Sequence, residues 1–457
     1  MYRYSLKYLT QWGQDKSRKP IVIRGARQVG KSTLVRMFAQ QSGLSLVELN
    51  FERNPELIDF FKSNDPQKII QLISLQTGKD ITPGKSLLFL DEIQAAAAAI
   101  VSLRYFYEEL PQLHVIAAGS LLEFTLSQGG FSMPVGRIEY LHLGVMTFDE
   151  FLLAVNENGL AEFLNSYELN QQIPTAIHDK LMDLVKIYLI IGGMPASIAA
   201  YVNDRSFKQS EKVKQSIIST YQDDFGKYAA LTQHDVIRQV FTKIPTMIGN
   251  KFKYVQINPN LKSSIIAAAL QQLCLARVAW KIHHSSANGV PLAAEQNDRL
   301  FKVLFLDVGL VSTSLGLSYL DLVNEIELVN IGNIVEQFVG QHLLYSDLSY
   351  QEPNLYYWVR EKKSSSAELD YVINIGQQII PVEVKAGKTG QMKSMQIFLK
   401  EKHRKVALRF NSAPASQMDA STKLVDGSLV DFKFISLPLY LIGQFRRIVI
   451  INNYNTG

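Results

Sequence analysis

Gly25-Ala26-Arg27-Gln28-Val29-Gly30-Lys31-Ser32 has the spacing G-x-x-x-x-G-K-[ST]. Two glycines so placed let the backbone turn its N–H groups onto a polyphosphate at a helix N-terminus. In that chemistry Gly25, Ala26, Arg27, Gln28, Val29, Gly30 and Thr33 embrace a nucleotide, Lys31 reaches the β- and γ-phosphates, and the Ser32 hydroxyl ligates Mg²⁺. Downstream, Leu87-Leu88-Phe89-Leu90 runs into Asp91-Glu92, an apolar strand delivering two carboxylates where an open parallel sheet places its ligands. Asp91 is expected to hold Mg²⁺ through water, and Glu92 to polarise the attacking water. The next apolar run, His114 to Ala118, ends at Gly119-Ser120, and Ser120 is expected to sense the γ-phosphate. The expected cofactors are ATP and Mg²⁺.

A second group of chemically competent residues lies near the C-terminus. Asp370 is followed at hairpin distance by Glu383-Val384-Lys385. Strand alternation puts Glu383 and Lys385 on one face, beside Asp370 on the neighbouring strand. Two carboxylates suit a hard cation such as Mg²⁺, and the lysine suits a hydroxide attacking a phosphodiester. Glu336, on the preceding helix, adds a further carboxylate. Charged residues on the face of an exposed hairpin are the other reading of the same pattern.

These residues need elements to position them. From Pro20 to about Phe151, buried runs at Ile21–Ile23, Leu46–Leu49, Leu87–Leu90 and His114–Ala118 alternate with helical patterns, which predicts a parallel α/β sheet. From about Glu150 to Tyr228 the pattern is helical, as a lid would be. Helical segments at Val236–Ile248 and Leu261–Leu273, followed by strand-like pieces at Val278–Ile282 and Val303–Phe305, predict a winged-helix-like segment or a three-helix bundle. A helix from about Ile331, strands at Tyr356–Val359, Leu369–Ile373 and Ile380–Val384, and a helix near Met392–Lys400 predict a closing α/β domain. The expected divisions are 1–150, 151–230, 231–325 and 326–457.

The phosphate-loop motif, with Leu90-Asp91-Glu92-Ile93-Gln94, Ala118-Gly119-Ser120-Leu121-Leu122 and Val135-Gly136-Arg137, resembles a widespread prokaryotic AAA-type ATPase family with a C-terminal domain of unknown function. The resemblance continues through Tyr188–Pro195, Phe305–Leu310 and Gly332–Phe338, and departs at Ala95–Ala99, where such proteins carry a more polar turn. It implies an AAA-type P-loop domain with a helical lid. Asp370, Glu383 and Lys385 also resemble the PD-(D/E)XK nuclease motif, Glu336 matching its upstream helical acid, which implies a nuclease-like fold and DNA as a partner. Two readings of Arg137 stand: an arginine finger that gathers the charge of phosphoryl transfer, or a salt-bridged surface arginine. Arg104 is the other candidate and reads as structural.

The whole chain of 457 residues is 47% hydrophobic and 19% charged, which excludes general disorder. Lys+Arg 47 against Asp+Glu 42 leaves a net charge of +5, permitting an anionic partner without a pronounced basic stripe. A single cysteine, Cys274, reads as core and excludes an internal disulfide, so a reducing cytoplasm fits. The Met1–Lys7 stretch lacks the apolar core of a leader, and no membrane span is expected. His283-His284 and His403 lack a metal-ligand pattern. Lys393, Lys400, Lys402, Arg404 and Lys405 read as a solvated face or phosphate contacts. Two functions remain: an ATPase coupled to DNA binding or processing, and an ATP-dependent switch that recruits a protein partner. A homo-oligomer suits either.

Overall fold

The computed structural model describes residues 1–124, 133–225, 231–323, 331–346, 348–362, 365–387, 392–424 and 427–454. The boundaries expected at 230 and 325 fall outside them. The chain divides into two compact units. The first comprises Met1–Val145 with Leu275–Val278 and Asp347–Pro353; the second comprises Met146–Cys274, Ala279–Ser346 and Asn354–Gly457.

The first unit is built on β1 (Ile21–Arg24), β2 (Ser45–Asn50), β3 (Ser86–Asp91), β4 (His114–Ala118) and β5 (Glu139–His142). All pairings are parallel, in the order β2-β3-β4-β1-β5. Each of the four expected apolar runs lies within one of β1–β4; β5, with only Leu141 and His142 buried, was not legible as a strand. Strands β3 and β4 are buried along their whole length, as unbroken apolar runs in a helix-covered parallel sheet must be. Val47, Leu49, Leu88, Leu90, Val115 and Ala117 pack against Ile100, Leu103 and Phe106 of the helix Ala97–Glu109. Asn50 is opposite Asp91 and Asp91 opposite Ala118, so β2, β3 and β4 deliver their last residues at one level.

In the second unit, helices at Phe148–Ala154, Asn158–Ser166, Thr175–Ile191, Pro195–Asp204 and Phe207–Asp224 fill the stretch expected to be helical. The helix expected to reach Ile248 instead ends at Lys243, because Pro245 has no N–H to continue it; Ile244–Met247 is a 3₁₀ turn. After the helix Ser263–Leu275 come β6 (Ala279–Ser285) and β7 (Gln296–Phe305), then β8 (Tyr356–Lys362), β9 (Ser365–Ile375), β10 (Gln378–Val384), β11 (Val406–Asn411), β12 (Ser416–Lys423) and β13 (Leu429–Pro438). They form one mixed eight-stranded sheet in the order β12-β13-β11-β10-β9-β8-β6-β7. The helix–helix–hairpin order read from the sequence is present. The β6–β7 hairpin is no free-standing wing, however: β6 pairs with β8 at His283–Tyr356 and His284–Tyr357 and extends the C-terminal sheet. On that sheet Trp358, Leu369 and Phe434 pack against Met395, Phe398 and Leu399 of the helix Lys393–Glu401. Among the described residues no helix is long and apolar enough to cross a membrane.

The helix Ile331–Leu344 is buried from Ile334 to Leu344 and carries polar side chains inside. Each has partners. Gln337 accepts from Phe305 N at 2.9 Å and donates to Phe305 O at 2.8 Å. Gln341 accepts from Val308 N at 2.8 Å. His342 Nε2 accepts from Phe148 N at 2.9 Å while Nδ1 donates to Phe338 O at 2.7 Å, a pattern that only the neutral ring completes. Burial pushes its pKa down to about 4 from 6.5. The unfolded chain therefore binds a proton that the folded chain refuses, and stability falls as pH drops from 6.5 towards about 4. At about 1.4 kcal/mol per unit the loss from His342 reaches about 3 kcal/mol. Thermal melts across that range should show a falling midpoint in the native chain and a shallower slope in His342→Asn, whatever its absolute stability.

Candidate functional site

The phosphate loop joins β1 to the helix Lys31–Ser42. Gln28 at φ 64° and Gly30 at φ 94° lie in the left-handed region and turn the loop. Gly25 has no room for a side chain, since a Cβ would lie 2.3 Å from Leu143 O on the chain leaving β5. Ala26 and Val29 are buried anchors. Arg3, which sequence reasoning passed over, pins the loop from outside: its guanidinium donates to Val29 O at 2.7 Å and Gly144 O at 2.8 Å. Thr33 is exposed in the first helical turn.

Lys31 is 8% exposed, and its ammonium donates to Gly25 O at 3.0 Å and Ala26 O at 2.8 Å. Burial pushes its pKa down to about 8, with Glu92 and Asp91 opposing. A buried ammonium held by its own loop carbonyls, beside turned backbone amides, is a donor set suited to a polyphosphate. Ser32 Oγ donates to Asp91 Oδ2 at 3.0 Å, and Asn50 Nδ2 reaches the same oxygen at 3.4 Å. Burial, then the charge of Glu92, raises the Asp91 pKa. This hydroxyl–carboxylate pair has the chemistry Mg²⁺ prefers, so the residues present fit both nucleotide and metal.

Glu92 takes a left-handed backbone, φ 52° and ψ 45°, at the turn after β3. Its Oε2 accepts from Gln94 Nε2 at 2.7 Å, with Ser120 Oγ at 3.4 Å. Arg27 Nε donates to Ser120 Oγ at 3.2 Å, tying the loop to the end of β4. Thus Lys31, Ser32, Asp91, Glu92, Ser120 and Arg27 converge, with Asn50 and Gln94 as unforeseen members. Gln94 stood in the sequence two residues from the acid it holds.

Arg137 does not join them. Glu139 is opposite Ile21, the first residue of β1, so Arg137 precedes the N-terminal edge of a parallel sheet whose C-terminal edge bears the loop. There its Nε meets Glu108 Oε1 at 2.8 Å, and Arg104 meets the same carboxylate at 3.1 Å. Both arginines are structural partners within the chain, and a finger role for Arg137 would require a second copy.

At the C-terminal group, Val382 pairs with Tyr371, which places Glu383 and Asp370 at the next step of β10 and β9. Asp370 Oδ2 accepts from Val384 N at 2.7 Å, and Lys385 Nζ meets Glu383 Oε1 at 2.5 Å. The expected residues do come together, and an ion pair lies among them. Lys302 of β7, 3% exposed, sends its ammonium to Glu336 Oε1 at 3.1 Å and Glu368 Oε1 at 2.8 Å. Burial opposes its charge, yet Glu336, Asp370 and Glu368 outweigh that and raise its pKa. Burial pushes Glu336 up to about 7 against the pull of Lys302, and also raises Asp370 and Glu383. Among the described residues no group of three or more His, Cys, Asp or Glu is placed to hold a metal ion. The signal for Lys302 was a lone charge inside the run Phe301–Phe305, which a buried strand admits only with a partner.

Other flagged residues resolve simply. Cys274 is half-buried rather than core. Lys402 and Arg404 hold Asn288, at 2.7 and 2.6 Å, through solvent-exposed hydrogen bonds. His283 lies 3.8 Å from Asp298, and His284 Nδ1 accepts weakly from Val359 N at 3.3 Å.

Residues 17–152 match a family model described as an AAA domain. Residues 182–321 and 331–425 match models described as domains of unknown function, DUF8612 and DUF4143. Among curated proteins none matches the chain. Solved structures similar to it include the Walker-type ATPase paby2304 of Pyrococcus abyssi, 15% identical over 69% of this chain and 95% of that one, with a TM-score of 0.44. The ORC2 protein of Aeropyrum pernix, determined with ADPNP and ADP, is 13% identical over 69% and 94%, with a TM-score of 0.33. The N-terminal part of this chain is an AAA-type, ATPase-like P-loop domain, and it is followed by two segments whose families have no assigned function.

Proposed function

We propose that the chain is a Mg²⁺-dependent ATPase whose nucleotide cycle is coupled to DNA binding or processing through its C-terminal nuclease-like domain. The convergence of Lys31, Ser32, Asp91, Glu92 and Ser120 on one sheet edge carries the ATPase part of this reading, and the placement of Asp370 and Glu383 on neighbouring strands beside Lys385 supports the DNA part. Loop amides and Lys31 bind the phosphates. Ser32 and Asp91 hold Mg²⁺, which when bound neutralises phosphate charge. Glu92 polarises the attacking water, and Ser120 reads the γ-phosphate between the loop and β3. The Gln94 contact orients Glu92 through one carboxylate oxygen, Oε2, and a carboxylate has a second oxygen with which to accept from a water.

A second reading, an ATP-dependent switch that recruits a protein partner, is favoured by the engagement of Lys385 with Glu383, since that lysine is then not poised on a hydroxide. Retention of the chain on immobilised DNA, measured without nucleotide, with ADP and with ATP held uncleaved by Glu92→Gln, separates the two. Retention should change with nucleotide state. Nucleotide-independent retention removes the coupling, and no retention in any state moves the reading to the switch.

A further inference from the structure

Three lysines gather beside the acidic group of the second unit. Lys243 ends the helix Leu231–Lys243, and Lys251 and Lys253 follow the left-handed turn at Gly249. With Asn250 and Gln256 they line a cleft of about 630 Å³, and Glu368 is part of the same lining. The cleft is continuous with the ion pair, because Glu368 Oε1 is 2.8 Å from the Lys302 ammonium. Gly249 packs so closely that a Cβ there would lie 2.9 Å from Glu336 Oε2. Three positive charges thus border a carboxylate that is already paired.

Lys302 cannot readily yield its place. Its side chain is buried, and its strand is clamped at Phe305 by both amide atoms of Gln337. A fixed ammonium neutralises carboxylates as a metal ion does, but it has no open coordination position and cannot generate a bound hydroxide. We propose that this cleft holds the phosphate backbone of a nucleic acid strand without a divalent cation, the Lys302 ammonium standing where the acids would otherwise hold one. The site holds and does not cut. The proposal rests on the DNA reading above and selects binding over cleavage within it.

The test is fluorescence anisotropy of labelled oligo(dT) with the full chain, in EDTA and in Mg²⁺, without nucleotide, alongside a plasmid-nicking assay. Affinity should be equal in the two buffers within about twofold, and nicking absent in Mg²⁺ and Mn²⁺. In Lys243→Glu/Lys253→Glu, both exposed positions, affinity should fall at least about tenfold and the salt slope should drop by about 0.7 for each lost phosphate contact. Binding that needs Mg²⁺ or Mn²⁺ and disappears in Asp370→Asn overturns the inference but leaves the DNA reading standing, as does binding undiminished in the double variant. Absence of binding in every buffer and nucleotide state, with ATP hydrolysis intact, removes the DNA reading together with it.

Discussion

Lys31→Ala should abolish ATP turnover and weaken nucleotide binding by about 10- to 100-fold. The phosphates lose one charged hydrogen-bonding partner, worth about 1.5–3 kcal/mol. Turnover suffers more than binding, because the transferring phosphoryl group gathers charge that the loop amides alone do not meet. The truncation also leaves Gly25 O and Ala26 O without the ammonium that now satisfies them, so a melting curve should accompany the assay. Phosphate release at the native rate from a folded Lys31→Ala protein would place ATP chemistry elsewhere.

Glu92→Gln separates binding from hydrolysis. Glutamine keeps the length and an oxygen that can still accept from Gln94 and Ser120, but it cannot draw a proton from water. It also removes a negative charge next to Asp91, one of the causes that raise the Asp91 pKa, which favours the ionised carboxylate that Mg²⁺ needs. Nucleotide affinity should be unchanged or tighter, while hydrolysis falls by about 10²- to 10⁴-fold. Fluorescent-nucleotide titration and single-turnover hydrolysis report the two separately. Native hydrolysis in this variant would assign the base to another residue.

The nucleotide site was readable because its information is local. A glycine spacing fixes a loop, an apolar run fixes a strand, and Asp91 and Glu92 follow from where that strand must end. Arg137 was unreadable for the opposite reason. Its neighbourhood depends on the register of β5 against β1, and the offset between strands more than a hundred residues apart has no signature in either one. The C-terminal group lies between these cases. Asp370 and Glu383 were placed on neighbouring strands correctly, since a hairpin is nearly local, whereas Lys385 lies one residue past the end of β10. Lys302 arrives from a strand separated from β9 by β6 and β8, and only its incongruity within an apolar run marked it. The mild net charge hid the lysine-lined cleft as well, because +5 spread over a whole chain says nothing of where charge collects.

The first unit borrows two short segments from far along the chain. Arg277, from Leu275–Val278, meets Glu123 at 3.1 Å and Glu352, of Asp347–Pro353, at 2.5 Å, while Arg24 at the end of β1 meets Glu123 at 3.4 Å. Ser349 O accepts from His142 N at 2.7 Å, covering the outer edge of β5. During synthesis, therefore, the phosphate loop leaves the ribosome early, whereas the Arg277 link to Glu123 waits for Leu275–Val278, and the Glu352 link and the Ser349 bond wait for Asp347–Pro353. Until then a parallel edge strand and the Arg24–Glu123 pair stand without their late partners, an interval in which edge-to-edge association is the hazard. A chain that stalls or is clipped before that point carries the whole nucleotide motif and lacks the framework that closes around it.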